Sequence, residues 1–248
     1  MSFVLTIALV STTVVAADTV VVRPGHPSVD GARLEPYEVV WVQWFETDGR
    51  RTLRRTVVDR VRRSSAGDEW IRTQEFLGLD GSPTSRRVNR VNGTTLAPAH
   101  ERWRFRGRVT HVDYEGRRVS GAMIEEDSGE PALLFDARLP EVAFDFNTTP
   151  LLLRALSLNA GMELRFPHAR ISPPGFPDPE LTWATIRVEG RERIEAGPLG
   201  TVRARRAVDP EHDMGVWLID EAPYVVRGEF PIDDSTHSVL ELGALVAP

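Results

Sequence analysis

Residues 99 to 121, AHERWRFRGRVTHVDYEGRRVSG, leave this chain few ways to fold. Polar and apolar residues alternate around two Gly-containing breaks, the period of a strand with one wet face. With Arg106-Gly107 and Glu115-Gly116 as two-residue hairpin loops, Phe105 pairs with Arg108 and Tyr114 with Arg117, which sets the register of three antiparallel strands. One face then carries Trp103, Phe105, Thr110, Val112, Tyr114 and Val119. The other carries His100, Arg102, Arg104, His111, Asp113, Arg118 and Ser120, with Asp113 opposite Arg118.

The same pattern extends both ways. YEVVWVQWFET (37 to 47), RTLRRTVVDRV (51 to 61) and EWIRTQEFLG (69 to 78) read as strands separated by Gly and Asp turns. In the second, Leu53, Val57 and Val61 recur at helical spacing, but its Thr and Val content and the preceding Asp48-Gly49 turn favour a strand. A Pro-rich loop from Pro167 to Pro179 precedes LTWATIRVEG, RERIEA, TVRARRAV, GVWLID and APYVVRGEF, a second meander. Between the two lies TTPLLLRALSLNAG, Thr148 to Gly161. It is expected to be a helix with Thr149 as N-cap, Pro150 at its first position and Gly161 beyond its end. The expected fold is mainly β: an antiparallel meander forming a strongly curved sheet or partly open barrel with one short helix. It occupies a single β domain, 37–248, after a Pro/Gly-rich leader, 18–36.

Residues 3 to 17, FVLTIALVSTTVVAA, form an uncharged apolar run ending in small residues, the pattern of a signal peptide cleaved near Ala17, although no basic residue precedes it. The run falls short of the roughly 20 residues a spanning helix needs. A periplasmic or secreted protein with no transmembrane span in the mature chain is expected. All 30 basic residues are Arg and there is no Cys, which excludes lysine Schiff bases, a Walker lysine, Ser-Lys dyads, thiol catalysis and disulfides. The formal charge of -6 argues against nucleic acid as a partner. No G-x-S-x-G or HExxH signature occurs, so no catalytic residue and no cofactor is assigned.

The order TTLAPAHERWRF, VTHVDYEGRRVSG, FDFNTTPLLLRALSLNAG, VEGRERIEAGPLGTVRARRA and GVWLIDEAPYVVR resembles a family of exported bacterial cell-envelope β-proteins known only as a domain of unknown function. The resemblance spans most of residues 37 to 230. More distantly, the architecture is similar to lipoprotein-carrier and lipoprotein-receptor folds. That likeness implies a half-open barrel with an apolar interior, closed by short helices, and fold alone transfers no function.

Three polar clusters are candidate sites. His100, His111 and Asp113 share a face, but interleaved Arg102, Arg104 and Arg118 oppose a dication, and a solvated sheet face is the better reading. Asp209, Glu211, His212 and Asp213 lack EF-hand spacing and read as a tight turn. The run Arg50 to Arg63 holds seven arginines against Asp59; they fall on both faces and read as protection of an exposed strand, with phosphate headgroup contact as the alternative. No metal site is assigned. The leading expectation is a non-enzymatic protein binding a lipid or other apolar small molecule between an aromatic sheet face and the helix, with Trp103, Phe105, Val112, Leu152 and Leu156 as ligand-binding residues. The alternatives are an interaction module with a filled core that engages an envelope protein, and a hydrolase with a dispersed site.

Overall fold

In the computed structural model, residues 19–170 and 179–246 are described; the apolar run at residues 3 to 17 lies outside them. The first meander comprises β2 (Tyr37–Thr47), β3 (Arg50–Arg63), β4 (Glu69–Leu77), β5 (Pro83–Asn92), β6 (Pro98–Phe105), β7 (Arg108–Glu115), β8 (Arg118–Glu125) and β9 (Pro131–Arg138). The second comprises β11 (Glu163–Arg170), β12 (Glu180–Glu195), β13 (Thr201–Asp209), β14 (Met214–Leu218), β15 (Val225–Pro231) and β16 (Thr236–Leu245). β16 pairs antiparallel with β2, so the two meanders form one continuous sheet that does not close on itself. Short β1 (Thr19–Val21) and β10 (Phe144–Asp145) add two parallel pairings to β11, making the sheet mixed rather than wholly antiparallel. The curved, partly open barrel expected from the sequence is the observed architecture.

The turn chemistry explains the register. Asp48 and Gly49 (φ 50° and 73°), and Arg106 and Gly107 (φ 50° and 74°), both sit in the left-handed region, as a type I′ hairpin requires. Phe105 therefore faces Arg108 as expected. The next turn departs from expectation. Glu115 pairs with Arg118, and the loop is Gly116-Arg117 rather than Glu115-Gly116. Of these, Gly116 (φ 62°) is the residue with positive φ, which matches a type II′ turn and spares Glu115 a left-handed backbone. The slip moves partners by two residues and so keeps each side chain on its expected face. Asp113 now lies between His100 and Ser120, while Arg118 meets Glu115 and forms a two-pronged pair with Asp136 at 2.9 and 3.0 Å.

Two further expectations are corrected. Pro167 to Arg170 belong to β11 rather than to a loop, and residues 171–178 lie outside the described residues. Pro167 falls between the residues of β11 that pair with β1 and those that pair with β10, so its missing N–H costs no parallel ladder bond. The helix, α1 (Thr149–Ala155), ends six residues short of Gly161. The Ala155 carbonyl accepts the Asp30 N–H from the leader at 3.1 Å, and Leu156 turns extended. Two turns of helix are unstable alone. Here Leu151, Leu152, Leu153, Ala155 and Leu156 are buried in one core with Val22, Val29 and Leu34 of the leader, at about 1.5–3 kcal/mol per large side chain.

Candidate functional site

Inside the curve of the sheet lies a half-enclosed cavity of about 550 Å³. The two-residue period of the strands sends Trp41 and Gln43 from β2, Arg55, Val57 and Asp59 from β3, and Arg72, Gln74 and Phe76 from β4 into its wall. Ser85 and Arg87 from β5 and Trp103 and Phe105 from β6 continue that wall. Across the seam, Ala184, Ile186, Val225, Phe230 and Leu240 complete it. Phe146, Asn147, Thr149, Pro150 and Leu153 approach from α1 and the 3-10 turn before it.

The structure thus brings Trp103 and Phe105 into the cavity and leaves three expected ligand residues outside. Val112 packs in a separate cluster with Tyr114, Val119, Leu139, Ala143 and Ala169, because the sheet curves past the cavity before β7. Leu152 is sealed in the main core; the helical period turns Thr149, Pro150 and Leu153 toward the cavity instead. Leu156 borders a second void of about 20 Å³, room for roughly one water.

Sequence reading missed the polar groups set into the aromatic wall and behind it. Arg72 donates to both Asp59 oxygens from Nε (2.9 and 3.2 Å) and from Nη2 to Oδ2 at 2.6 Å, and Nη1 donates to the Asn147 carbonyl. Burial is the largest single influence on Arg72 and opposes its charge, but Asp59, Tyr37 and Asp145 together outweigh it, and the Arg72 pKa rises. Arg87 donates to the Asn147 side-chain oxygen and stacks over Trp103 at 4.5 Å, with its Nε 3.1 Å from Glu101 Oε1. Asp145 holds Asn147 in place by accepting its N–H at 2.7 Å and takes a further hydrogen bond from Asn89. Glu101, 3% exposed, is pushed up to about 8 by burial and by the Asp145 charge, against the pull of Arg87. Burial raises the Asp145 pKa as well, against the hydrogen bonds from Asn147 and Asn89 and the Arg87 charge. His168, also on the wall, is held neutral by burial, its pKa lowered to about 4. The signal was a strict phase: Trp41-x-Gln43, Val57-x-Asp59-x-Val61, Trp70-x-Arg72, Arg87-x-Asn89-x-Val91 and Glu101-x-Trp103-x-Phe105 each put a polar side chain on the apolar face.

The polar clusters around His100 and Asp209 lie elsewhere, and the Arg50 to Arg63 run reaches the cavity through Arg55 and Asp59. His100 Nδ1 is 2.8 Å from Asp113 Oδ1 on the outer face, and among the described residues no three His, Asp or Glu side chains converge as a metal site would. Asp209 accepts the N–H groups of Glu211 and His212, forming the tight turn between β13 and β14. The arginine run is not on an edge: β3 lies between β2 and β4. Arg51 and Arg60 pair with Glu46, Glu241 and Glu38 at the surface, whereas Arg55 points inward.

The profile of the family described as "Protein of unknown function (DUF3108)" matches residues 36–239, from just before β2 into β16. The chain belongs to that family. The DUF3108 match covers both meanders as far as Val239, within β16, and takes in the cavity residues named above except Leu240, in keeping with the resemblance carried by the motif order. Among solved structures, the crystal structure of a "Beta-barrel-like Protein of Domain of Unknown Function DUF1849 from Brucella abortus" is similar over 86% of this DUF3108 chain and 97% of its own, with 9% identity and a TM-score of 0.38. No curated protein matches. No helix among the described residues is long and apolar enough to cross a membrane.

Proposed function

We propose that this protein binds an apolar, lipid-like ligand inside the half-open barrel, without performing a reaction, and that it does so outside the cytoplasm after cleavage near Ala17. The observation that carries this reading is the cavity itself. Its volume lies within the roughly 300–1,000 Å³ typical of small-molecule sites, and its wall is aromatic and aliphatic with a few fixed polar groups. Glu101 and Asp145, the carboxyls with raised pKa values, stand behind that wall rather than on it, so they support the wall and do not face a guest. Export rests on the sequence of residues 3 to 17. Native mass spectrometry of the purified protein, with extraction of bound lipid, tests the binding. A co-purifying apolar mass is expected, and Ala184→Trp, which fills the cavity from β12, should lose it. A clean apo mass together with no uptake of added alkyl ligand would overturn the reading.

A second reading, docking of an envelope protein, has one observation in its favour. Among the described residues, β9 ends the sheet with an unpaired edge and shows Leu134 71% exposed. A pull-down lost on Leu134→Lys would support it, and unchanged capture would remove it.

A further inference from the structure

Three guanidinium groups line the cavity, those of Arg55, Arg72 and Arg87, against one carboxylate, Asp59. Two of the three cations have a carboxyl group beside them. Arg72 is clasped by Asp59, and Arg87 lies against Glu101. Arg55 is different. Among the described residues no carboxylate lies within ion-pair distance of it, and its recorded side-chain hydrogen bond runs from Nε to Gln43 Oε1. That bond fixes its direction, because Gln43 Nε2 in turn donates to the buried Ser238 hydroxyl at 2.6 Å. The guanidinium plane is further held over the Phe76 ring, 4.6 Å from its centroid. A positioned, half-buried guanidinium with its two Nη groups uncommitted presents the fork that matches two oxygens of a carboxylate or phosphate.

Resting on the cavity reading above, we infer that the guest is a single-chain anionic amphiphile: its carboxylate or phosphate end pairs with the Arg55 fork, and its alkyl chain lies along Trp41, Trp103, Phe105, Phe146 and Phe230. The electrostatics agree. Burial lowers the Arg55 pKa, and the positive charges of Arg54 and Arg87 lower it further, influences that an anion beside the guanidinium would offset. The chain's negative overall charge makes this local excess of positive charge more specific.

Trp41 and Trp103 report occupancy through their fluorescence. The probes are hexadecanoate, hexadecyl phosphate and hexadecanol, titrated below micelle-forming concentrations, with inorganic phosphate as a fourth arm. The intact protein should bind one or both anionic probes at least about tenfold more tightly than hexadecanol, the scale of a charge-assisted hydrogen-bond pair. Arg55→Gln should abolish that preference, and Arg55→Lys should keep part of it. Equal binding of alcohol and anions by the intact protein, or an undiminished preference in Arg55→Gln, would overturn the headgroup inference and leave the apolar cavity reading standing. Saturation by inorganic phosphate as tight as by hexadecyl phosphate would also overturn it, since the anion would then need no chain. Failure of all alkyl probes would remove both readings.

Discussion

Replacing Asp59 with Ala should cost this protein about 3 kcal/mol of stability, near the lower end of the roughly 3–5 kcal/mol expected when one partner of a buried ion pair is removed. Asp59 is fully buried and Arg72 nearly so, and their contacts number three at 2.6 to 3.2 Å. At an effective dielectric constant of about 20, opposite charges about 4 Å apart attract by about 4 kcal/mol, and the variant forfeits that while the guanidinium stays inside. Two features moderate the loss. Arg72 retains the Asn147 carbonyl, and both residues line the cavity, so water can reach the orphaned charge. Urea unfolding followed by tryptophan fluorescence measures the difference. The double variant Asp59→Leu with Arg72→Met should recover most of the stability, because an apolar pair of similar bulk avoids the desolvation of both charges. A single variant costing under about 1 kcal/mol, or a double variant no better than the single, would refute the claim that this pair matters through uncompensated charge.

Glu101→Gln tests the raised carboxyl. A group protonated in the fold up to about pH 8 but ionised above its ordinary value of 4.5 when unfolded gives stability that is full at low pH and drains away as pH rises between those limits. Relative to wild type, the variant should remove a slope of up to about 1.4 kcal/mol per pH unit across that window in unfolding titrations. Leu152→Ala should destabilise by about 2–5 kcal/mol in the same assay and still take up alkyl probes, because Leu152 is core rather than wall. Gly116→Ala should cost about 1–2 kcal/mol by forcing an alanine into positive φ, whereas Arg117→Gly should cost less; equal losses in thermal melts would contradict the type II′ assignment.

Most of the architecture was legible because alternation and turn chemistry are local. The Arg106-Gly107 turn fixed its strand pairing from two residues, while the single glycine at Gly116 left two adjacent loops open, and only the backbone preference of glycine separates them. The helix end was not legible. The residue that accounts for its last carbonyl, Asp30, lies far away in the leader. The cavity wall was half legible for a related reason. Apolar residues at strand period announce an inner face, but Arg55, Asp59, Arg72 and Glu101 share that phase and pair with partners on other strands, which no local window contains. Arg55 was visible only as one arginine among seven.

The pairing of β16 with β2 joins the last strand of the chain to the first long one, across nearly the full sequence. Contacts this distant make for slow folding. They also tie the cavity to that seam: Trp41 and Gln43 stand on one side of it and Leu240 on the other, so the chamber is complete only when β16 has paired with β2. A chain clipped before Thr236 would keep the arginines and aromatic side chains of the cavity but lack the strand that joins its two halves. Binding inside the chamber, as proposed above, therefore requires that the two meanders have already joined.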